Sequence, residues 1–565
     1  MPLSRATAKR ACMTSRTTPD AARLLVDCLA EQGADRIFTV PGESFLQVLD
    51  ALHGRDEIDL VTCRQEGGVT FMACADGAMT GRPGIAFVTR GPGATNASIG
   101  VHVAHQDSQP MILFVGDVDR SMREREGFQE VDFPAFFSPI CKWAARIDSA
   151  DRIPEFVSRA YATAISGRPG PVVLALPEDM LNDATSATPR PYVTRPPQAT
   201  CPDAMQTLMA MIGDAASPIA IIGGAGWNPK ARDYFQEFAE RIGLPVATAF
   251  RRQDAISPNS PVYAGNLGYG PNPKLVERVK QADLVIAVGA RLGEATTDGY
   301  TFPELDRAEQ SLVHVHPDPE ELHRVYRTDL AICCAMDEFA EAAALWEDNS
   351  ILSFDAGSEA HAEWEAWTTP KPAEYELDLG QCVAFMRETW PADTIICNGA
   401  GNFSGWWHRF WRYDGFPTQL APTAGAMGYG VPAAVAAARR FPDRAVVALA
   451  GDGDFLMNGQ ELATAAQHDC DLTVIVIDNS AYGTIRMHQE REFPERVSGT
   501  DLTNPDFAAF GAAFGAWTAR AETTEEFQKA LSEARKRQGV KLIHCKIEVE
   551  QLAASGATIS GLRGK

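Results

Sequence analysis

Short runs of apolar, mostly β-branched residues recur along the chain, each ending in Gly, Pro or a polar residue. They are Ile37–Val40, Ile85–Thr89, Met111–Val115, Val172–Leu176, Ile219–Ile222, Leu284–Val288, Thr394–Cys397, Val446–Leu449 and Val474–Ile477. Segments rich in Ala, Leu and Glu lie between them. The first helix is predicted after Thr18-Pro19-Asp20, which offers a cap, a proline for the first helical position and an acidic first turn. Leu24, Leu25, Cys28 and Leu29 form its apolar stripe, and Gly33 its stop. Strands alternating with helices predict an α/β fold of doubly wound parallel sheets, with ligands beyond the carboxyl ends of the strands.

Two stretches lack a sustained apolar period and read as linkers, Ala184–Pro202 and Asp348–Pro372. They divide the chain into three α/β units, residues 20–190, 200–345 and 373–550, with a disordered tail over 1–19 and a C-terminal tail over 551–565. A length of 565 residues fits several cores rather than one.

The net charge of -23 argues against a nucleic-acid binder, which needs Lys and Arg stripes. An anionic ligand must then be held by local dipoles or by a metal. No apolar run is long enough for a membrane span. The first 19 residues carry Arg5, Lys9, Arg10 and Arg16 without an apolar centre, unlike a secretory signal. The 12 cysteines show no CxxC spacing, and reduced thiols in a cytoplasmic protein are expected.

Gly451-Asp452-Gly453-Asp454 follows one apolar strand, and Asp478-Asn479-Ser480-Ala481-Tyr482-Gly483 follows the next. Each piece alone is ordinary turn chemistry. Together they place two Gly-rich turns at one sheet edge, where backbone N–H groups can approach a phosphate. Mg²⁺ prefers oxygen ligands, and Asp452, Asn479 and a loop carbonyl such as that of Ala481 would leave positions open for a diphosphate.

With these motifs the chain resembles the thiamine-diphosphate enzymes, and among them the acetohydroxyacid synthase (acetolactate synthase) group. The resemblance runs from about residue 20 to residue 550 and is carried by FTVPGESFLQVLDAL, CRQEGGVTFMACADGAMTG, TRGPGATNASIG and the stretch Ala424–Tyr482. It implies a pyrimidine-binding domain, a middle domain and a diphosphate-binding domain. It also implies thiamine diphosphate with Mg²⁺, small 2-oxo acid or ketone substrates, and a homo-oligomer (dimer or tetramer) whose active site is shared between two chains. Glu66 matches the family's catalytic glutamate, which exchanges a proton with the aminopyrimidine; such a carboxyl is expected in an apolar pocket. Gly425 and Met427 match the support for the bent cofactor. Gly401, Asn402 and Phe403 fall where the family makes further diphosphate contacts, and Gly483 and Ile485 continue the anchor at Gly451–Tyr482.

Phe128, Gln129, Lys142 and Arg291 match positions that reach substrate in acetohydroxyacid synthases, and a guanidinium suits a carboxylate. Two positions depart from that group. Glu43 stands where those synthases have Gly, and His488 replaces their acceptor-selecting Trp. With His102 and His105 they suggest a proton-handling pocket. Gly223-Gly224-Ala225-Gly226 offers a phosphate approach in the middle domain, but RLGEATTDGY does not reproduce the flavin-contact stretch, which weighs against FAD. The expectation is a decarboxylating carboligase acting on 2-oxo acids. The alternative is a simple 2-oxo acid decarboxylase or a C–C lyase on hydroxyketones or diketones, working through Glu43 and the histidines. A catalytically silent relative is a third reading, opposed by the intact Glu66, Met427, Asp452 and Asn479.

Overall fold

A computed structural model describes residues 20–303, 310–346 and 354–564. Three six-stranded parallel sheets follow one another. The first contains β1 (Arg36–Thr39), β2 (Asp59–Thr62), β3 (Gly84–Val88), β4 (Met111–Asp117), β5 (Trp143–Arg146) and β6 (Pro171–Pro177), in the order β2-β1-β3-β4-β6-β5. The second contains β7 (Pro218–Ile222), β8 (Val246–Thr248), β9 (Tyr263–Asn266), β10 (Leu284–Val288), β11 (Ser311–His316) and β12 (Leu330–Cys333), in the order β12-β11-β10-β7-β8-β9. The third contains β13 (Ile395–Asn398), β14 (Gln419–Leu420), β15 (Val446–Gly451), β16 (Leu472–Asp478), β17 (Trp517–Ala521) and β18 (Val540–Lys546), in the order β14-β13-β15-β16-β18-β17. Counted within each unit, the first and third sheets share one strand order. The middle sheet has instead the order of dinucleotide-binding folds.

The first and third units share a core. The helix Glu66–Thr80 packs on the Ala-rich helix Gly430–Arg440, with Phe71 edge-on to Tyr429 at 5.4 Å between ring centroids. Arg440 pairs with Asp35 and Asp76 across this contact, and Arg36 and Arg439 share Asp59.

The first helix runs over Ala21–Glu31 and is capped by Asp20, whose side chain accepts the Arg23 N–H at 3.0 Å. An Asp cap of this kind contributes about 1 kcal/mol. The cap is therefore Asp20 itself; Thr18 and Pro19, with the rest of the expected 1–19 tail, lie outside the described residues. The 184–202 stretch is an extended strap held along the first unit, where the Gln32 amide donates to the Arg190 and Pro191 carbonyls. The second expected linker differs. Its residues 348–353 lie outside the described set, but Ala356–Trp367 forms a helix whose Trp364 is 3% exposed in the middle unit's core. The expected C-terminal tail is also packed: the helix Ile559–Arg563 docks on Gly483–Glu492, where Arg563 makes two 2.8 Å bonds to the buried Glu490.

The buried rings of His314 and His316 on β11 carry a testable consequence. Burial holds both below the ordinary imidazole value, His316 at about 4. The unfolded chain takes up these protons near pH ~6.5 while the fold refuses them. Stability is therefore full above that value and falls as pH drops toward 4. We expect the urea midpoint to fall across this window, with a shallower fall in His316→Gln. The same pH slope in both proteins would dismiss the imidazole as a cause.

Candidate active site

β15 and β16 lie side by side, with Gly451 level with Ile477, so the chain leaves both strands at one edge. After β15 it turns into the short helix Asp452–Asn458, and after β16 into the turn holding Asn479, Ala481 and Tyr482. With the loop after β13 these segments enclose a cleft of about 250 Å³. Gly401, Asn402, Phe403, Gly451, Asp452, Gly453, Asp454, Asn479, Ala481, Tyr482, Gly483 and Ile485 all line it, and so do Gly425 and Met427 from a separate loop. A Cβ on Gly453 would stand 2.5 Å from the Tyr482 ring, and one on Gly451 3.0 Å from the Phe403 ring, so a larger residue at either position would press on these rings.

Asp452 is 3% exposed. One of its oxygens accepts the Gly453 N–H at 2.9 Å, the other the Asn504 amide at 2.8 Å. The same amide donates to Asp478 at 2.9 Å, and Asp478 is also held by Lys546 and by the His544 ring, each at 2.9 Å. Burial pushes the Asp452 carboxyl up to about 6. Burial also raises Asp478, but its hydrogen bonds, with His544 and Lys546 foremost, outweigh that and hold it well below the usual carboxylate range. Asn504 was not singled out in the sequence. It arrives because segment 500–502 pairs with the turn, Tyr482 N–H donating to Thr500 O and Leu502 N–H to Ser480 O, both at 2.8 Å. No local pattern announces such a pairing.

Asp454 ties two loops together. One of its oxygens accepts Gly428 N–H at 2.7 Å and Ala400 N–H at 3.2 Å; the other is buried and has no partner among the described residues. Burial pushes this carboxyl up to about 7. Asn402 is fixed by Thr484 and donates to the Leu552 carbonyl at 2.9 Å, which brings the C-terminal segment into the wall.

The residues present fit a metal-held diphosphate. Among the described residues the lining carries no Lys, Arg or His, so an anion held there would be balanced by a metal and by backbone N–H groups. Asp452, Asn479 and Ala481 line the cleft and would offer oxygens of the kind Mg²⁺ takes. Among the described residues no group of three or more His, Cys, Asp or Glu could hold a metal ion.

Not one lining residue comes from the first unit. Glu66 begins the helix after β2 and accepts a 3.0 Å bond from Asn96, so within one chain it does not sit in the expected apolar pocket. Glu43 follows β1 and is exposed; Gln129, with φ +63°, follows β4 beside the 72% exposed Phe128. All four lie beyond the carboxyl ends of the first sheet, apart from the cleft.

The other expected site residues are brought to neither place. His102 and His105 lie toward the far end of the helix Gly91–Gln106, about 16 Å and more along it at 1.5 Å per residue. Burial and the neighbouring Arg168 and Arg291 bring His105 down to about 4. Lys142 precedes β5 at the opposite edge of its sheet, donates to the Ser166 carbonyl at 2.6 Å, and is lowered by burial to about 8. Arg291 follows β10 and is engaged by Glu321 at 3.4 Å and by the Gln106 carbonyl at 3.0 Å. His488 is exposed on the helix Gly483–Glu492, outside the cleft lining. Spacing along the sequence does not reveal which end of a helix or strand a residue occupies in space.

His102 and Arg291 instead line a larger cavity, about 450 Å³, among the three units. It lies where the middle sheet's order reverses, between β7 and β10. A Cβ on Gly224 would meet the Gly289 carbonyl at 2.0 Å, and one on Gly289 the Gly223 carbonyl at 2.5 Å, so these glycines let the two loops at the strand ends pack closely.

Three family models match the chain in order: the N-terminal thiamine pyrophosphate binding domain of thiamine pyrophosphate enzymes over residues 19–136, their central domain over 205–343, and their C-terminal thiamine pyrophosphate binding domain over 399–545. The acetolactate synthase large subunit of Parasynechococcus marenigrum (strain WH8102) is 32% identical over 521 residues, 88% of this chain and 82% of the relative. The acetolactate synthase isozyme 2 large subunit of Escherichia coli (strain K12) is 29% identical over 538 residues, 93% of this chain and 95% of the relative. Among the described residues no helix is long and apolar enough to cross a membrane. The three matched domains and the synthase relatives along nearly the whole chain make this chain a member of the thiamine pyrophosphate enzyme family, in its acetolactate-synthase-like group.

Proposed function

We propose that the protein is a Mg²⁺- and thiamine-diphosphate-dependent carboligase that decarboxylates a 2-oxo acid and joins the retained fragment to a second carbonyl compound. One observation supports the reading: among the described residues the cleft lined by Asp452, Asn479 and Ala481, which would serve a metal-held diphosphate, has no first-unit residue, while Glu66 stands open elsewhere in the chain. Each working site would then join the third unit of one chain to the first unit of another. Apolar side chains left exposed beside both halves support this pairing: Ile99 (42%) next to Gly67, and Leu456 and Met457 (46% each) on the helix that starts at Asp452. The 11 free cysteines among the described residues, most of them buried, suit a cytoplasmic setting.

Bound thiamine diphosphate supplies a carbon acid that, once deprotonated, adds to a carbonyl and accepts the electrons left by departing CO₂. Asp452, Asn479 and the Ala481 carbonyl would hold the metal, and the Gly451–Gly453 backbone would face the diphosphate. Gly425 and Met427 would bear on the middle of the cofactor. Glu66 of a second chain would hold and return a proton at the pyrimidine nitrogen, and Phe128 and Gln129 beside it would meet the substrate.

A second reading is favoured by Glu43, a carboxylate at the same sheet edge as Glu66, and by the remoteness of Lys142 and Arg291 from both half-sites. It makes the protein a simple decarboxylase or C–C lyase. The test is product identification by mass spectrometry after incubation with a panel of 2-oxo acids and hydroxyketones, cofactor and Mg²⁺. Acyloins or acetohydroxy acids are expected. Aldehyde as the sole product across the panel would transfer the proposal to the second reading, in which Glu43→Gly should stop aldehyde release.

A further inference from the structure

The loop Pro422–Gly428 is the wall between two cavities. Its Thr423 and Ala424 line the 450 Å³ cavity among the three units, while Gly425 and Met427 line the cofactor cleft. The loop holds itself only weakly. Gly425 N–H bonds to the Pro422 carbonyl at 2.9 Å, and both Gly425 (φ +68°) and Gly428 (φ +82°) are left-handed, which gives the segment freedom.

Groups from all three units grip it from behind. Asp107, at the end of the helix Gly91–Gln106, accepts the Thr423 N–H at 3.1 Å with one oxygen. With the other it accepts the Ala424 N–H at 2.9 Å and the Thr423 hydroxyl at 2.6 Å. Arg251 of the middle unit, buried and held at φ +60°, donates to the Pro422 carbonyl between Asp107 and Asp454. A left-handed Arg is strained and persists only where its surroundings demand it. Asp454 accepts the Gly428 N–H, and the Asn458 amide donates to the Gly428 carbonyl at 3.1 Å. Of these, Asp107 makes the most bonds and reaches furthest, across 316 residues.

We infer that Asp107 is a positioning residue: by holding Thr423 and Ala424 it sets where Gly425 and Met427 stand in the cleft, and so governs cofactor affinity and turnover without touching the cofactor. This rests on the cofactor reading proposed above. Asp107 is not part of the cleft lining. Its bonds are charge-assisted, and losing one of that strength corresponds to about a tenfold change in an equilibrium.

The test uses full-length Asp107→Asn and Thr423→Val with Mg²⁺. Thiamine diphosphate binding is followed by quenching of tryptophan fluorescence, the bound cofactor by near-ultraviolet circular dichroism, and stability by thermal unfolding of the cofactor-free protein. Asp107→Asn keeps the side chain's size but presents an amide to one of its donors. We expect about tenfold weaker binding and an altered dichroism band, with cofactor-free unfolding within a few degrees of the parent. Thr423→Val should move both readouts the same way by less, and the double variant should cost less than the sum. Parental affinity and dichroism in Asp107→Asn overturn the inference. So does a loss that reflects only a smaller folded fraction, the folded molecules binding as the parent does. If Asp107→Asn does not fold, Thr423→Val decides alone, and an unchanged result there overturns the inference. A parent protein that binds no thiamine diphosphate overturns the cofactor reading, and this inference with it, before any variant is compared.

Discussion

Replacing Asp452 with Ala is expected to leave a folded protein that has lost Mg²⁺-dependent binding of thiamine diphosphate, by at least about a hundredfold. Asp452 is the one carboxylate among the three proposed metal-bearing groups of the cleft, Asn479 and the Ala481 carbonyl being neutral. Its removal halves nothing gradually; it takes away the charge that draws a divalent cation into a pocket without cationic side chains. The local structure has reason to survive. The Asn504 amide keeps its 2.9 Å bond to Asp478, and segment 500–502 keeps its backbone pairing with the Ser480–Tyr482 turn. Calorimetric titration of cofactor with and without Mg²⁺ checks this. Unchanged affinity in a folded Asp452→Ala protein would move the metal site elsewhere.

The nine apolar runs that the sequence offers as strands all fall on strands of the three sheets, because parallel strands buried on both faces must be apolar throughout. It passes over all six edge strands and also the interior strands β8, β11 and β18. β5 is half-exposed along its whole length and β14 spans two residues, so neither writes a continuous apolar run. The helix Ala356–Trp367 was hidden because its buried stripe, Gly357, Ala360 and Trp364, is built mostly of small residues. At the site, Asp452, Asn479 and their glycines were legible because each follows a strand directly, so one-dimensional order translates into one sheet edge. Lys142, His102 and His105 lie apart from the cleft for the opposite reason. They stand near motif residues in sequence, but a strand start or a helix length away in space. Asn504 and Asp107 act through tertiary pairings that no spacing rule encodes.

Glu66→Gln should bind cofactor and metal as the parent does and still lose about a thousandfold in turnover, because the amide keeps the shape of the carboxylate but cannot exchange its proton. The more discriminating result comes from mixing this variant with Asp452→Ala. Within one chain, Glu66 accepts from Asn96 on an open face while the cleft holding Asp452 is lined entirely from the third unit. If a working site takes its first unit from one chain and its third from another, each dead variant retains the half its partner lacks. Random reassortment would make about half the dimers mixed, each with one intact site, so about a quarter of the parental activity should return. Were each site instead assembled within a single chain, every site in the mixture would carry one lesion and nothing would return. Tagging the two variants differently shows whether chains have exchanged, and exchange without recovered activity would rule out the shared site while leaving the family assignment standing.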